Sequence, residues 1–219
     1  MKRYFIILAY LLIISSVVFA QVDSSAQGEE ASTKTTEISL SGGITYPSLP
    51  RKFKDYWKKG INVSGSIGYS SPPGSLGYSA LSLELTYNSF SFNENGFRSS
   101  LDTSKRSISL AGEATKTLAV MLTYRGEFST TKNSIAPYFL LSVGYFHLSS
   151  GSVNVPSDTS LGISGENTSA IAWSFGGGID VPVSDMISAF AEGRFVLGAT
   201  GSDVARQYYP VSVGVRIKP

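Results

Sequence analysis

Apolar and polar residues alternate along most of this chain. The segment 81–87 reads Leu-Ser-Leu-Glu-Leu-Thr-Tyr, and the same period of two returns at 118–125, at 211–217 and in five other segments. Successive side chains of a β-strand point to opposite faces, so each segment would present one apolar and one polar face. We predict eight strands, at about residues 36–46, 61–70, 79–91, 107–128, 136–148, 169–181, 186–197 and 208–217, the fourth starting as early as Ser107.

The composition favours a barrel in a membrane over a soluble sheet. Charged residues make up 16% of the chain, whereas a soluble domain has about 25%. A closed barrel pairs all of its backbone groups internally, which is why it can span a bilayer. The predicted fold is all-β: an eight-stranded, antiparallel, up-and-down transmembrane β-barrel over residues 36–219. A soluble secreted barrel that holds a small ligand is the alternative, and it would need an apolar interior.

The first 20 residues have the pattern of a secretory signal peptide. Lys2 and Arg3 precede an apolar stretch at 5–18, and Val18-Phe19-Ala20 is an acceptable cleavage site. An N-terminal membrane anchor is the alternative, although a spanning helix needs about 20 apolar residues. We therefore expect export and cleavage, a disordered periplasmic tether over residues 21–35 and a location in the outer membrane of a Gram-negative cell.

Charge and residue usage exclude several function classes. Removing Lys2 and Arg3 from the 18 basic residues leaves 16, equal to the 16 acidic ones, so bulk charge does not support nucleic-acid binding. The chain has no cysteine, hence no disulfide. No metal-ligand cluster, phosphate loop or acid–base pair is apparent, so the sequence predicts no cofactor or metal, and it favours a monomer.

The connections between the predicted strands alternate in length. Short ones lie near 72–77, 129–134 and 182–185, and longer ones lie at 47–60, 93–106, 149–168 and 198–207. Outer-membrane barrels have short periplasmic turns and longer extracellular loops. The four longer connections are therefore predicted to face outward.

The polar face of the strands carries charged side chains that would point into the barrel. An eight-stranded barrel is just wide enough for side chains to fill it, and buried ions are tolerated when they are paired. The sequence predicts an internal salt-bridge network that plugs the lumen and whose charges sum to zero. The alternative is a selectivity ring in a narrow pore or transporter for small hydrophobic solutes. The six predicted members are Glu84, Arg125, Glu127, Glu192, Arg194 and Arg216.

Two later segments point to a known family. Residues 175–195 read as a glycine-rich strand, Asp180, a short turn and a strand with Glu192-x-Arg194 facing inward. This segment resembles the hairpin of small OmpA-like outer-membrane β-barrels, and residues 136–145 are similar to the preceding strand of that family. The resemblance implies an eight-stranded barrel and contact with the outer-membrane insertion machinery. The chain departs from the family in ending without an aromatic residue and in having no peptidoglycan-binding domain after the barrel, so a wall-anchoring role is not expected.

The first long connection is rich in basic and aromatic residues. Positions 51–59 hold five basic residues, one acidic residue and three aromatics. In an outward loop, basic side chains attract anionic headgroups, and Tyr and Trp settle at the membrane interface. Lipopolysaccharide is therefore the expected partner, and a solvated loop with aromatics packed on the rim is the alternative. The candidate contacts are Arg51, Lys52, Lys54, Tyr56, Trp57, Lys58 and Lys59.

The single histidine, His147, is the one candidate for catalysis. Some small outer-membrane barrels resemble hydrolases that remove acyl chains from lipopolysaccharide with His, Ser and an acid on the outer face. A histidine at the interfacial end of a strand is the other interpretation. The sequence favours a non-enzymatic outer-membrane barrel that supports envelope integrity or surface and lipopolysaccharide interaction through its loops. A narrow pore and a lipid A-modifying enzyme are the alternatives.

Overall fold

The computed structural model describes residues 35–74, 77–101, 109–128, 134–156, 159–199 and 206–218. The predicted signal peptide and residues 21–34 of the predicted tether lie outside the described residues. Thr35, the last residue assigned to the tether, is already the first residue of a strand. Among the described residues, no helix is both long enough and apolar enough to cross a membrane.

Eight long strands form a closed, antiparallel barrel. Each strand pairs with its neighbours in the chain, and the first pairs with the last, so the topology is up-and-down, as the alternation predicts. The barrel strands are β1 (Thr35–Leu49), β2 (Trp57–Gly74), β3 (Gly77–Phe92), β5 (Thr115–Glu127), β6 (Ala136–Ser149), β8 (Asn167–Pro182), β9 (Ile187–Ala199) and β10 (Arg206–Ile217). The other elements are α1 (Arg51–Tyr56), α2 (Glu94–Ser99), a small sheet of β4 (Ala111–Gly112) and β7 (Val153–Asn154), and a 3₁₀ turn at Thr159–Leu161.

The two ends of the barrel differ in their connections. At the turn end lie both ends of the described chain and the short connections β2–β3, β5–β6 and β8–β9. At the loop end lie the connections that carry both helices and the small sheet. The long connection predicted at 47–60 is largely structured, because β1 runs to Leu49, α1 follows Pro50 and β2 begins at Trp57.

The fourth barrel strand, β5, is shorter than the longest strand that the alternation of residues predicts. It begins at Thr115 rather than near Ser107, and residues 102–108 lie outside the described part. Leu110 keeps the period of the strand but packs against Phe97 and Val153 in a separate apolar cluster. Alternation alone cannot tell a barrel strand from an extended segment above it.

The outer wall of the barrel is apolar along all eight strands. Leu40, Leu83 and Val213 are each more than half exposed, and the inward residues beside them are polar or small. This arrangement is the reverse of a soluble β-barrel, and it suits an outer wall in contact with lipid.

The glycine-rich β8 leaves room inside the barrel for an aromatic ring. A Cβ on Gly178 would lie 2.6 Å from the hydroxyl oxygen of Tyr138. Tyr138 is buried next to Leu140 and Phe190. The glycines of this strand therefore serve packing of the lumen, and the element that directly follows them is β9 rather than a helix that could bind a nucleotide.

Candidate functional site: a sealed lumen beneath a basic cap

The middle of the lumen holds three charged residues, which we call the central triad: Glu84 on β3, and Glu192 and Arg194 on β9. The Nη1 of Arg194 donates to both carboxylate oxygens of Glu84, at 2.9 and 2.8 Å, and its Nε donates to Glu192 Oε1 at 2.9 Å. The hydroxyl of Tyr138 donates to Glu192 Oε2 at 3.0 Å. Thr123 donates to Glu84 Oε2 at 3.1 Å. Each carboxylate oxygen of the triad thus accepts a hydrogen bond, which offsets the cost of removing these ions from water.

A belt of neutral polar side chains lies on the loop side of the triad. Asn62 donates to Asn88 at 2.8 Å, Asn88 donates to Thr117 at 3.0 Å, and Ser212 donates to Asn62 at 2.8 Å. The cavity between this belt and the triad measures about 20 Å³. A space of that size has room for about one water molecule and not for a column of solute.

A second group of charges, the turn-end cluster, fills the lumen nearer the turns. Its members are Glu37, Arg125, Glu127, Asp180, Arg216 and Lys218. Arg125 reaches Glu37 and lies 3.1 Å from Glu127, while Arg216 lies 3.0 Å from Glu37 and 2.8 Å from Asp180. The Nε and Nη1 of Arg216 form no aligned hydrogen bond at these distances. Aromatic faces also contact this guanidinium, 4.6 Å from the ring of Phe190 and 5.4 Å from that of Tyr138.

The structure brings together all six charged residues that the alternation assigned to the interior, but it divides them between two clusters. Glu84, Glu192 and Arg194 form the triad, and Arg125, Glu127 and Arg216 join the turn-end cluster. Glu37, Asp180 and Lys218 also take part. The two clusters together hold five acidic and four basic side chains, so their formal charges sum to −1, while those of the six predicted members sum to zero.

Aromatic side chains close the loop end of the lumen and form what we call the aromatic plug. Its rings are Phe53, Trp57, Phe90, Phe146 and Tyr208, all of them at most 4% exposed. Phe53 packs edge-on against Phe90 with ring centroids 5.0 Å apart, and Phe90 packs against Tyr208 at 5.6 Å. The plug and the central triad thus fill the described lumen at two successive levels.

Trp57 lies in this plug and not at the membrane interface, where the sequence predicted it. By strict alternation Trp57 shares the outward phase of Ile61, but the pairing of β2 with β3 shifts between Trp57 and Gly60. Such a bulge reverses which face a side chain occupies. Trp57 is therefore 4% exposed and donates its Nε1–H to the carbonyl of Glu113 at 3.4 Å. Tyr56 is half-buried against Phe97, with centroids 5.1 Å apart.

Above the plug, the long connections fold together into an outer cap. Phe97, Val153 and Val155 are its buried core. Asn93 ties α2 to α1, because its backbone N–H donates to the carbonyl of Tyr56 at 2.7 Å and its side-chain amide donates to the carbonyl of Asp55 at 2.9 Å. The described part of the loop end is thus a packed layer rather than a set of separate loops.

The five basic residues of the first connection are all exposed, three on α1 and two at the start of β2, and we call them the basic face: Arg51, Lys52, Lys54, Lys58 and Lys59. Phe53, between them in sequence, is 1% exposed and anchors α1 in the plug. The one acidic residue of the segment is Asp55, which accepts from Arg51 at 3.3 Å. Arg51 is 93% exposed, so this pair contributes little to stability and leaves the face positive.

His147 lies on the outer wall of β6 near the loop end. Its Nδ1 is 2.9 Å from the hydroxyl oxygen of Ser169 on β8. A hydrolytic triad also needs an acid to hold the other ring nitrogen. Among the described residues, no carboxylate pairs with His147. The structure therefore supplies two of the three groups that the hydrolase interpretation requires.

Comparison with known proteins supplies no relative at the level of sequence. No family model matches the chain, and no curated protein matches it. Solved structures do match. The N-terminal β-barrel domain of Pseudomonas aeruginosa OprF is 16% identical, with 84% of this chain and all of that chain covered, at a TM-score of 0.44. Ail, the attachment invasion locus protein of Yersinia pestis, crystallised with the heparin analogue sucrose octasulfate, is 10% identical, with 84% and 99% covered, at a TM-score of 0.42.

The fold is inferred from the similarity to Neisserial surface protein A. That protein is 16% identical to this chain, the match covers 87% of this chain and all of that one, and the TM-score is 0.52. At this identity the likeness concerns the fold alone. The chain therefore has the fold of the small eight-stranded outer-membrane barrels, as its resemblance to OmpA-like barrels predicts.

Proposed function

We propose that this protein is a non-enzymatic, non-conducting outer-membrane barrel that uses its outer cap to hold lipopolysaccharide at the cell surface. One observation carries the proposal: the basic face is exposed on a folded cap, while the lumen beneath it is filled. Such a molecule can contribute to envelope integrity by bridging neighbouring anionic lipids through their phosphates. The outer-membrane fold of its structural neighbours supports this location.

The packing of α1 on the aromatic plug favours binding of lipopolysaccharide by the basic face. Phe53 in the middle of α1 and Trp57 just after its last residue both pack in the plug, and Arg206 lies 5.4 Å over the ring of Phe53. Cations on a preorganised surface lose less conformational entropy on binding than cations on a free loop. Lys59 also lies just beyond Ile61, which faces outward on β2 and is 59% exposed. In the proposed orientation, this end of the apolar wall meets the headgroups of the outer leaflet.

Neutralising the basic face tests this function. A variant with Gln at Arg51, Lys52, Lys54, Lys58 and Lys59 should lose most of its association with lipopolysaccharide, because each cation near an anionic membrane surface contributes about 1 kcal/mol. The matched control exchanges Arg and Lys at the same five positions and keeps the charge. Binding is measured on the folded protein in zwitterionic vesicles doped with lipopolysaccharide. Equal association of the neutral variant and the control would reject the basic face as the binding surface.

A lipid A-modifying hydrolase is the second candidate, and the contact between His147 and Ser169 is the observation in its favour. In that reaction His147 would accept the hydroxyl proton of Ser169 as the hydroxyl oxygen attacks the acyl ester. The ester bond to the sugar would break, the proton would pass to the leaving sugar oxygen, and water would then release the fatty acid from Ser169. A His147→Ala variant with unchanged lipid A acylation would remove this candidate. A narrow pore is less favoured, because both the central triad and the aromatic plug would have to move.

A further inference from the structure

The outward face of β5, β6 and β8 changes from apolar to polar toward the loop end. Across these three strands the register aligns Val120, Tyr145 and Ile171, which are all apolar or aromatic. The next outward row toward the loops is Leu118, His147 and Ser169, and the row beyond it is Lys116, Ser149 and Asn167. We call the five polar residues of these two rows the side patch: Lys116, His147, Ser149, Asn167 and Ser169.

The side patch offers one cation and several neutral hydrogen-bonding groups. Lys116, Asn167 and Ser169 are exposed, and His147 and Ser149 are half-buried. Because these residues lie on three hydrogen-bonded strands, their positions are set by the barrel and not by a loop. The hydrogen bond between His147 and Ser169 further orients two of the groups.

Lys116 forms no ion pair among the described residues. Glu113 in the cap interacts with Lys116 electrostatically. Its carboxylate already accepts from Ser152, from the hydroxyl at 2.8 Å and from the backbone N–H at 3.3 Å. These hydrogen bonds lower the pKa of Glu113. The ammonium of Lys116 is thus left to face the lipid boundary.

We propose that the side patch binds the phosphate-bearing sugar headgroup of a glycolipid in the outer leaflet. The phosphate would accept from Lys116, and the hydroxyl, amide and imidazole groups would bond to sugar hydroxyls. The acyl chains would then run along the apolar rows of Val120, Tyr145 and Ile171. A free phosphate would use the cation but not the apolar rows. The inference rests on the proposed location in the outer membrane, but it does not depend on the basic face.

The experiment uses the full chain folded in detergent micelles mixed with lipid A. Native mass spectrometry counts the glycolipid that each barrel retains. The test variant adds Lys116→Gln and His147→Gln to the variant with Gln at the five positions of the basic face, and the basic-face variant alone is the matched control. The migration of unboiled samples on SDS gels verifies that each barrel is folded. Retention is also measured with dephosphorylated lipid A and in the presence of added inorganic phosphate.

We expect the test variant to retain about fivefold less lipid A than the basic-face variant, which is the effect of losing one cation at an anionic surface. The basic-face variant should keep the glycolipid bound at the side patch, and dephosphorylated lipid A should bind weakly to every variant. Equal retention by the test variant and the basic-face variant would overturn the inference. Displacement by inorganic phosphate at equal concentration would overturn it too, in favour of a free-anion site. A folded protein found outside the outer membrane would instead refute the proposed function.

Discussion

Two ion clusters share one lumen, but they are stabilised in different ways. In the central triad, Arg194 hydrogen-bonds Glu84 and Glu192, and threonine and tyrosine hydroxyls satisfy the remaining oxygens. In the turn-end cluster, Arg216 lies within ion-pair distance of two carboxylates without aligned hydrogen bonds, and it stacks on two aromatic rings. Directed bonds reach every carboxylate oxygen of the first cluster, whereas the second has one such bond, from Arg125 to Glu37, and is otherwise held by proximity and ring faces.

This difference indicates which part of the lumen is the more rigid. An aligned, charge-assisted network fixes side-chain positions, so the central triad is the stiff part of the interior. Tyr138 links the two clusters, because its hydroxyl bonds to Glu192 while its ring lies beneath Arg125 and Arg216. A change at the triad should therefore cost more than a change at the edge of the turn-end cluster.

The largest expected effect comes from breaking the triad. Arg194→Ala leaves Glu84 and Glu192 buried without their cation, and removing one partner of a buried pair costs about 3–5 kcal/mol. Unfolding in urea, followed by gel migration of the vesicle-inserted barrel, should show this loss. Arg194→Lys keeps the charge without the bidentate geometry, so its stability should lie between those of the wild-type chain and Arg194→Ala. Unchanged stability with raised ion conductance would favour a gate instead.

Crowding the ring that joins the clusters should have an intermediate effect. In Gly178→Ala the new methyl would lie 2.6 Å from Tyr138 and 2.3 Å from the carbonyl of Ala191, and overpacking of this kind costs about 1–3 kcal/mol. Gly193→Ala in the same hairpin is the control, because a Cβ there has no atom within 4 Å. Equal urea midpoints for the two variants would contradict the packing of Tyr138 over Gly178.

A small effect is expected at the edge of the turn-end cluster. The Nζ of Lys218 lies 3.7 Å from Glu127, and its side chain is 29% exposed. Solvent screens such a pair, so Lys218→Gln should cost under about 1 kcal/mol. A loss comparable to that of Arg194→Ala, measured by the same urea titration, would mean that the two clusters are one cooperative network.

The least perturbing test compares the two tryptophans of the chain. Trp57 is 4% exposed in the plug, and Trp173 is 40% exposed on the outer wall. Lipids with brominated acyl chains should therefore quench the fluorescence of a Trp57→Phe variant and leave that of a Trp173→Phe variant nearly unchanged. Strong quenching of both variants would mean that Trp57 lies at the membrane interface.

The alternation of apolar and polar residues along the chain predicts most of the fold. It assigns the faces of all eight strands, because burial on one side and lipid on the other impose a strict period of two. The same period places Glu37 beside outward Ile38 and Asp180 beside outward Ile179, so both inward charges could have been included in the predicted network.

Other features could not be read from the pattern. The bulge that turns Trp57 inward depends on the pairing of β2 with β3, which alternation within one strand does not reveal. The six-residue helix α1 is too short to show a helical period, and its anchor Phe53 is buried only because the barrel mouth lies beneath it. Lys218 joins the lumen from beyond the last strand.

The conductance of the folded, full-length chain in a planar bilayer tests the sealed lumen most directly. With the central triad, a cavity of about 20 Å³ and the aromatic plug in series, the barrel should insert without producing steady single-channel currents. Steady currents from protein that migrates as a folded barrel on unboiled gels would contradict a closed interior, and they would move the function from the outer cap to the lumen.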